Sequence, residues 1–206
     1  MIVDWLSLAA FIPAGLALNL TPGADMMFTI AQGVRGGKKA AMAANLGIGA
    51  GCMVHVLIAA LGLAVFLKAH PLAFEVIRWG GVAYLLYLAC KSWFASPPVK
   101  GEVAAASPAR IFREALLVNL LNPKVALFIL AFLPQFIAPS RPVLPQFLVL
   151  GAVFCTGGLL VNGLVGLFSG RIGQWLSGSS RFALALNRVS AGVFAALALR
   201  LAVMER

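Results

Sequence analysis

The sequence predicts an all-α polytopic membrane protein of six transmembrane helices, arranged as two three-helix repeats of inverted topology. Three observations carry that prediction. Hydrophobic residues make up 62% of the chain and charged residues 11%, with a mean hydropathy of +0.98, whereas a water-soluble domain carries about 25% charged residues. The 206 residues divide into six long apolar runs with short connections, each able to cross a hydrocarbon core at about 20 residues per span. Two of these runs, one on each side of a single linker, break in nearly the same words: Asn19-Leu20-Thr21-Pro22-Gly23-Ala24-Asp25 and Asn119-Leu120-Leu121-Asn122-Pro123-Lys124.

The first span, Trp5–Ala31, follows Asp4 rather than a basic segment, so it reads as a retained helix and not a signal peptide. The second, Ala40–Leu67, follows Arg35, Lys38 and Lys39; the third is Leu72–Phe94. Ser96–Ser107, rich in Pro, Ala and Ser, is the candidate linker. It divides the chain into a first repeat at 1–95, a cytoplasmic linker at 96–110 and a second repeat at 111–206. The remaining spans are Ile111–Ile137, Phe147–Phe168 and Phe182–Val203. At about 1.5 Å rise per residue the first, second and fourth are longer than a straight crossing needs. Pro22-Gly23 and Pro123 supply helix breaks in two of them, because proline removes a backbone donor.

Three spans per half is an odd number, so the halves run through the bilayer in opposite directions, as in an inverted repeat. Weaker matches recur in the same order. Ala50-Gly51 followed by Val54-His55 resembles Gly157-Gly158 followed by Val161-Asn162, and Gly81-Val82 resembles Gly192-Val193.

The net charge of +10 is topological rather than a nucleic-acid surface, since Lys and Arg fall in small groups between apolar runs. Arg35, Lys38, Lys39, Lys91, Lys100, Arg110, Arg113, Arg171, Arg181 and Arg188 fall on one side; Lys68, Arg78, Arg141, Arg200 and Arg206 fall on the other. The positive-inside rule then places both termini outside, which is periplasmic in a bacterial inner membrane. Trp5, Trp79, Trp93 and Trp175 lie near span ends as interfacial anchors. Gly47 with Gly51, and Gly166 with Gly170, have the small-xxx-small spacing of close helix packing, which also suits a homodimer. Cys52, Cys90 and Cys155 all lie within apolar runs, so no disulfide framework is expected.

Charges at a helix centre cost about 2.5–3.5 kcal/mol on insertion scales, so Asp25 and Lys124 should face one another, a polar cavity or the interface. One reading is an ion pair that ties the halves together; for Asp25 alone, an interfacial anchor is another. The functional reading is a site for a small zwitterion. A half-helix opened by Pro22-Gly23 and the Lys124 ammonium attract a carboxylate, while Asp25 takes an ammonium group. Asn19, Thr21, Asn119 and Asn122 supply neutral donors and acceptors for the freed backbone and the ligand. Asp25 and His55 are the candidates for carrying a proton. Cys52 and His55 share a helical face, but two soft ligands without a third make a weak metal signal, so neither metal nor cofactor is assigned. The patterns His-Glu-x-x-His and Gly-x-Ser-x-Gly are absent, which leaves an enzyme unsupported. A channel would spread its polarity along a pore, whereas here polarity gathers at two breaks.

These motifs also resemble the LysE/RhtB family. The resemblance rests on Asn19 to Asp25, Leu46-Gly-Ile-Gly-Ala-Gly51 with His55, Ala83-Tyr-Leu-Leu-Tyr-Leu88, Asn119 to Phe128 continuing to Phe132-Leu-Pro-Gln-Phe136, and Leu186-Asn-Arg-Val-Ser-Ala-Gly192. It runs almost end to end. Ala24 departs from the family, which usually repeats a proline there; the turn before Asp25 is then less rigid. The resemblance implies bacterial inner-membrane export of amino acids such as lysine, threonine, homoserine or leucine, driven by the proton gradient. Efflux of a metal ion or another small solute is the alternative.

Overall fold

The structure is a computed structural model, described for residues 2–69, 79–80, 82–83, 86–87, 89–90, 93–94, 106–169 and 180–203. All regular elements among the described residues are helical. They are α1 (Trp5–Leu20), α2 (Ala24–Ala69), α3 (Pro108–Leu120), α4 (Pro123–Leu127), a π-helical turn (Phe128–Phe132), a 3-10 turn (Leu133–Phe136), α5 (Val143–Leu167) and α6 (Ser180–Val203). Most of the predicted third span lies outside the described residues, although helical residues occur between 79 and 93. Trp175, Gly170, Arg171 and the linker up to residue 105 also lie outside them.

Local chemistry explains the helix ends. Asp4 caps α1: its Oδ1 accepts the Ser7 N–H at 2.8 Å, a bond that holds the carboxyl below its ordinary pKa. α1 stops at Leu20 because Pro22 has no N–H to continue the ladder. Ser107 caps α3 ahead of Pro108, so that helix starts three residues before the predicted span. α5 likewise starts at Val143 rather than Phe147, and α6 at Ser180 rather than Phe182. The segment between Lys124 and Phe136 does not keep an α pitch. Pro134 cannot donate to the ladder, and the backbone adjusts first to π and then to 3-10 turns.

A loop was expected between the first two spans. Instead α2 runs through one non-helical residue, Gly37, with φ 67° and ψ −163°. Glycine alone takes that conformation without strain, so one residue is enough to turn the chain. Contacts on either side show the reversal. Met26 and Ile30 pack on Val161 and Val165, and Gly33 abuts Ser169, so the residues before Gly37 run parallel to α5. After Gly37, Ala41 lies at Gly166, Asn45 at Leu159 and Val56 at Gly151, so the chain returns antiparallel to α5.

The helices after the linker pack on these first ones. α3 runs alongside the returning part of α2, with Phe112 and Ala115 at Gly47 and Asn119 at Gly51. Beyond the break, Lys124 lies at Leu18 and Thr21 while Phe136 packs on Phe11, so this segment runs antiparallel to α1. α3 and the residues from Pro123 to Phe136 are apolar enough to form one membrane crossing, bent by 50° at the break. Ala24–Gly62 and Val143–Leu167 are each long and apolar enough to cross as well.

One buried apolar cluster joins Phe11 and Leu18 of α1 to Val56, Phe128, Phe132, Phe147 and Phe154. Val82, Ala89, Phe194 and Ala198 belong to the same cluster. Phe128 stacks on Phe154 with ring centres 4.6 Å apart, a contact between the segment after the second break and α5. Trp5, Trp79 and Trp93 are exposed, as interfacial anchors require.

The expectation that the cysteines stand apart is corrected. Cys52 and Cys155 pair as a disulfide across α2 and α5, with their Cα atoms 6.1 Å apart. The cause is close packing of two antiparallel helices where glycines remove side-chain bulk, which brings two intramembrane thiols face to face.

Candidate functional site

The two breaks meet. Thr21-Pro22-Gly23 lies against Asn122-Pro123-Lys124, and a Cβ built on Gly23 would stand 3.1 Å from Lys124 Nζ. Each break exposes backbone groups, and neighbouring side chains take up several of them. Thr21 donates its hydroxyl to Ala17 O at 2.7 Å, while Asn122 Oδ1 accepts the Lys124 N–H at 3.0 Å and caps α4. Lys124 Nζ donates to Thr21 O at 2.9 Å and Leu18 O at 3.3 Å. The ammonium therefore sits on the carbonyl end of α1, where the helix dipole is negative.

Asp25 has the complementary position. It lies in the first turn of α2, at the positive end of that helix. Its Oδ2 accepts from Asn119 Nδ2 at 2.9 Å, and its backbone carbonyl accepts the Thr29 hydroxyl at 2.9 Å. His55 Nε2 lies 3.2 Å from the Asn119 carbonyl, so Asp25, Asn119 and His55 form one hydrogen-bonded string. No ion pair joins Asp25 to Lys124: each charge is met by helix ends and amides instead. Both side chains are buried, at 5% and 9% exposure, and so do not face lipid.

Asn19 is nearby but turned elsewhere. Its Nδ2 donates to Phe154 O at 3.1 Å, and its amide lies on Gly157 and Gly158. Asn119 makes the corresponding contact with Gly51. Each asparagine that precedes a break thus rests on glycine from the other half of the chain.

Among the described residues five buried side-chain atoms have no hydrogen-bond partner: Asp25 Oδ1, Asn45 Oδ1, Asn119 Oδ1, Asn162 Oδ1 and Asn122 Nδ2. Four accept and one donates. Buried polar atoms are normally satisfied, and an unmade bond costs about 1–3 kcal/mol. Register puts three of the acceptors at one level. A Cβ on Gly166 would touch Thr29 Cγ2 at 2.9 Å and Ala41 Cβ at 3.0 Å. One helical turn from that three-way contact, toward the breaks, lie Asp25, Asn45 and Asn162.

Asn45 and Asn162 were not singled out as site residues from the sequence, nor were Thr29 and Gln32. The signal was available. Asp25, Thr29 and Gln32 follow i, i+4, i+7 spacing and all three are buried, which describes one polar stripe on an otherwise apolar helix. Cys52 is paired with Cys155, which removes it as a thiolate ligand beside His55. Among the described residues no group of three metal-ligating side chains gathers.

The sequence matches the model of the LysE type translocator family over residues 16–205. It is 32% identical to a homoserine/homoserine lactone efflux protein of Salmonella typhimurium across 90% of each chain. It is also 34% identical to an uncharacterized membrane protein of Vibrio cholerae, across 71% of this chain and 73% of that one. A leucine efflux protein of Salmonella typhimurium is 32% identical across 64% of each chain. No solved structure matches. With the family pattern covering nearly its whole length, both helix breaks included, the chain belongs to the LysE type translocators.

Proposed function

We propose that this protein is a secondary transporter that exports small amino acids across the bacterial inner membrane, coupled to protons, with its site at the two helix breaks. The observation that carries this reading is the polarity of the unpartnered atoms. Acceptors cluster around Asp25 and Asn119, and the donor belongs to Asn122, next to Lys124. A zwitterion matches that division. Its ammonium group donates to Asp25 Oδ1 and Asn119 Oδ1, and its carboxylate accepts from Asn122 Nδ2 and from the Lys124 proton not donated to Leu18 or Thr21. Gly23 leaves room beside the Lys124 amine. The names of the efflux relatives support an amino acid as the cargo.

The chain's layout supports alternating access by two inverted halves. The first crossing, broken at Pro22-Gly23, runs against the crossing broken at Pro123, and the returning part of α2 runs against α5. Such halves place a midplane site where the broken helices meet. In this arrangement Arg35, Lys38 and Lys39 flank the Gly37 turn, and both termini are periplasmic. Asp25 is the proton carrier, with His55 connected to it through Asn119.

The test is amino-acid flux in proteoliposomes with labelled substrates inside and an imposed pH gradient. Gradient-stimulated flux of an amino-acid class, lost in Lys124→Ala, is the expected result. A folded protein that moves no amino acid, but moves a metal ion or another solute, would replace this reading with the alternative cargo.

A further inference from the structure

We infer that Asp25, Asn45 and Asn162 form a binding site for a monovalent alkali cation, sodium or potassium, and that this ion exchanges with the substrate's ammonium group at Asp25. The exchange rests on the proposed amino-acid site; the ion site stands without it. Asp25 Oδ1, Asn45 Oδ1 and Asn162 Oδ1 are buried acceptors without a donor, on residues only 5%, 3% and 7% exposed. Register brings them together. Gly166 meets Thr29 and Ala41, and four residues along each of these segments, toward the breaks, stand Asn162, Asp25 and Asn45. A step of four residues keeps a side chain on nearly the same helix face, so all three point to the axis that Gly166 shares with Thr29 and Ala41. Asn45 Nδ2 is also 3.0 Å from a Cβ built on Gly163, which sets that amide against α5 beside Asn162.

The neighbouring donors are spent elsewhere. Asn119 Nδ2 is bonded to the other carboxylate oxygen of Asp25, the Thr29 hydroxyl to Asp25 O, and Asn45 Nδ2 to Leu159 O. Lys124 Nζ is bonded to Thr21 O and Leu18 O. On the Gly37 side the contact of Thr29, Ala41 and Gly166 closes this level, and Gly33 against Ser169 closes it again about a turn farther. One hydroxyl offers one proton and one water two, whereas a metal cation has no fixed donor directions and meets three oxygens at once. The ligand chemistry selects the ion. One carboxylate and two amide carbonyls suit a hard cation. A single negative charge balances a single positive one, and a divalent ion would leave excess charge in a region that already holds the Lys124 ammonium. Histidine, cysteine and acidic side chains do not gather in threes among the described residues, so a softer transition metal has no ligand set.

The substrate's ammonium group is itself a monovalent cation and takes Asp25 Oδ1 in the proposed site. Ion and ammonium therefore exclude one another at that oxygen, so that loading one expels the other, as exchange requires. The proton carried by Asp25 is a further alternative partner of the same carboxylate. The test is thermal unfolding of the purified, substrate-free protein in detergent, in sodium, potassium or choline chloride at equal ionic strength; choline is too large for the level between α2 and α5. The midpoint should rise saturably in sodium or potassium over choline, by about 3–6 °C once the salt is about tenfold above its dissociation constant. Asn162→Leu and Asp25→Asn should each lose this rise, and a cooperative transition in choline shows that the variant is folded. Homoserine or leucine, whichever the proteoliposomes carry, should raise the half-saturating salt concentration severalfold.

Equal wild-type midpoints in the three salts would overturn the ion site and leave the amino-acid reading standing. A rise that survives in Asn162→Leu would overturn it too, since the ion then binds elsewhere. A half-saturation that the carried amino acid leaves unmoved would overturn the exchange. A saturable rise in a protein that carries no amino acid would keep the ion site and overturn the proposed function.

Discussion

Replacing Lys124 separates transport from folding more cleanly than its burial suggests. Lys124→Ala removes an ammonium that donates to Thr21 O and Leu18 O. Hydrogen bonds to charged groups contribute about 1.5–3 kcal/mol each, and a cation at a helix C-terminus about 0.3–2 kcal/mol. Against this stands the desolvation of a buried ion, which costs several kcal/mol and is recovered when the charge is removed. These opposing contributions are of similar size, so stability should change by no more than about 2–3 kcal/mol, and the protein should still insert and purify. Transport behaves differently. The substrate carboxylate loses its only full positive partner in the proposed site, a charge-assisted contact whose loss should lower flux at least about 100-fold. The assay is counterflow in proteoliposomes, with thermal unfolding in detergent measured alongside. Full flux in Lys124→Ala would refute the assignment. Loss of both flux and monodispersity would instead show that the amine's principal job is to cap α1, and Lys124→Met, which keeps the stem's packing, would then decide.

Asp25→Asn keeps the shape of the side chain and its proximity to Asn119 but removes the charge; pH-gradient stimulation should disappear, and coupling that survives unchanged would show that the proton is carried elsewhere. Gly51→Ala introduces a methyl group 2.8 Å from Asn119 Oδ1 and 2.9 Å from its Cβ; Asn119 must shift, so flux should fall about tenfold with KM raised more than kcat is lowered, and wild-type kinetics would show that this contact is not needed. Gln146 is 1% exposed and holds the 137–142 turn through bonds to both backbone groups of Ala138 and to the carbonyls of Arg141 and Pro142. Gln146→Leu strands these groups and should destabilise the protein by about 2–4 kcal/mol, read as a fall in midpoint temperature in detergent; an unchanged midpoint would mean that water replaces the amide.

The breaks were legible because proline acts locally. Pro22 and Pro123 remove backbone donors wherever they fall in a helix, and the neighbouring Thr21 and Asn122 are residues that bind freed backbone groups. What each charge does depends on the other half of the chain. Sequence placed Lys124 beside a ligand carboxylate, whereas in the structure the ammonium also caps α1, a role set by a contact with residues more than 100 positions away. The turn at Gly37 looked like a loop because Arg35, Lys38 and Lys39 surround it, yet a single glycine at positive φ reverses the helix. The π and 3-10 turns before Ile137 left only Pro134 as a signal. The disulfide between Cys52 and Cys155 followed from helix register, which composition does not encode.

The same dependence on register explains why the sequence pointed to Asn19 and passed over Asn162. Asn19 belongs to a conspicuous motif, but its amide is spent on Phe154 O and rests on Gly157 and Gly158, where it fastens the first broken crossing to α5. Asn162 stands alone in an apolar run, and only the turn at Gly37 brings Asp25 and Asn45 to its level. Without that reversal Asn45 would continue away from α5, and the unpartnered oxygens would be scattered along a helix. The turn thus brings two amides and one carboxylate, far apart in sequence, to one level along α5. Asn19→Ala should accordingly weaken the seam between α1 and α5 and lower stability by about 1–2 kcal/mol, while the KM for the transported amino acid stays at its wild-type value. A raised KM with unchanged stability would move Asn19 from the seam into the substrate site.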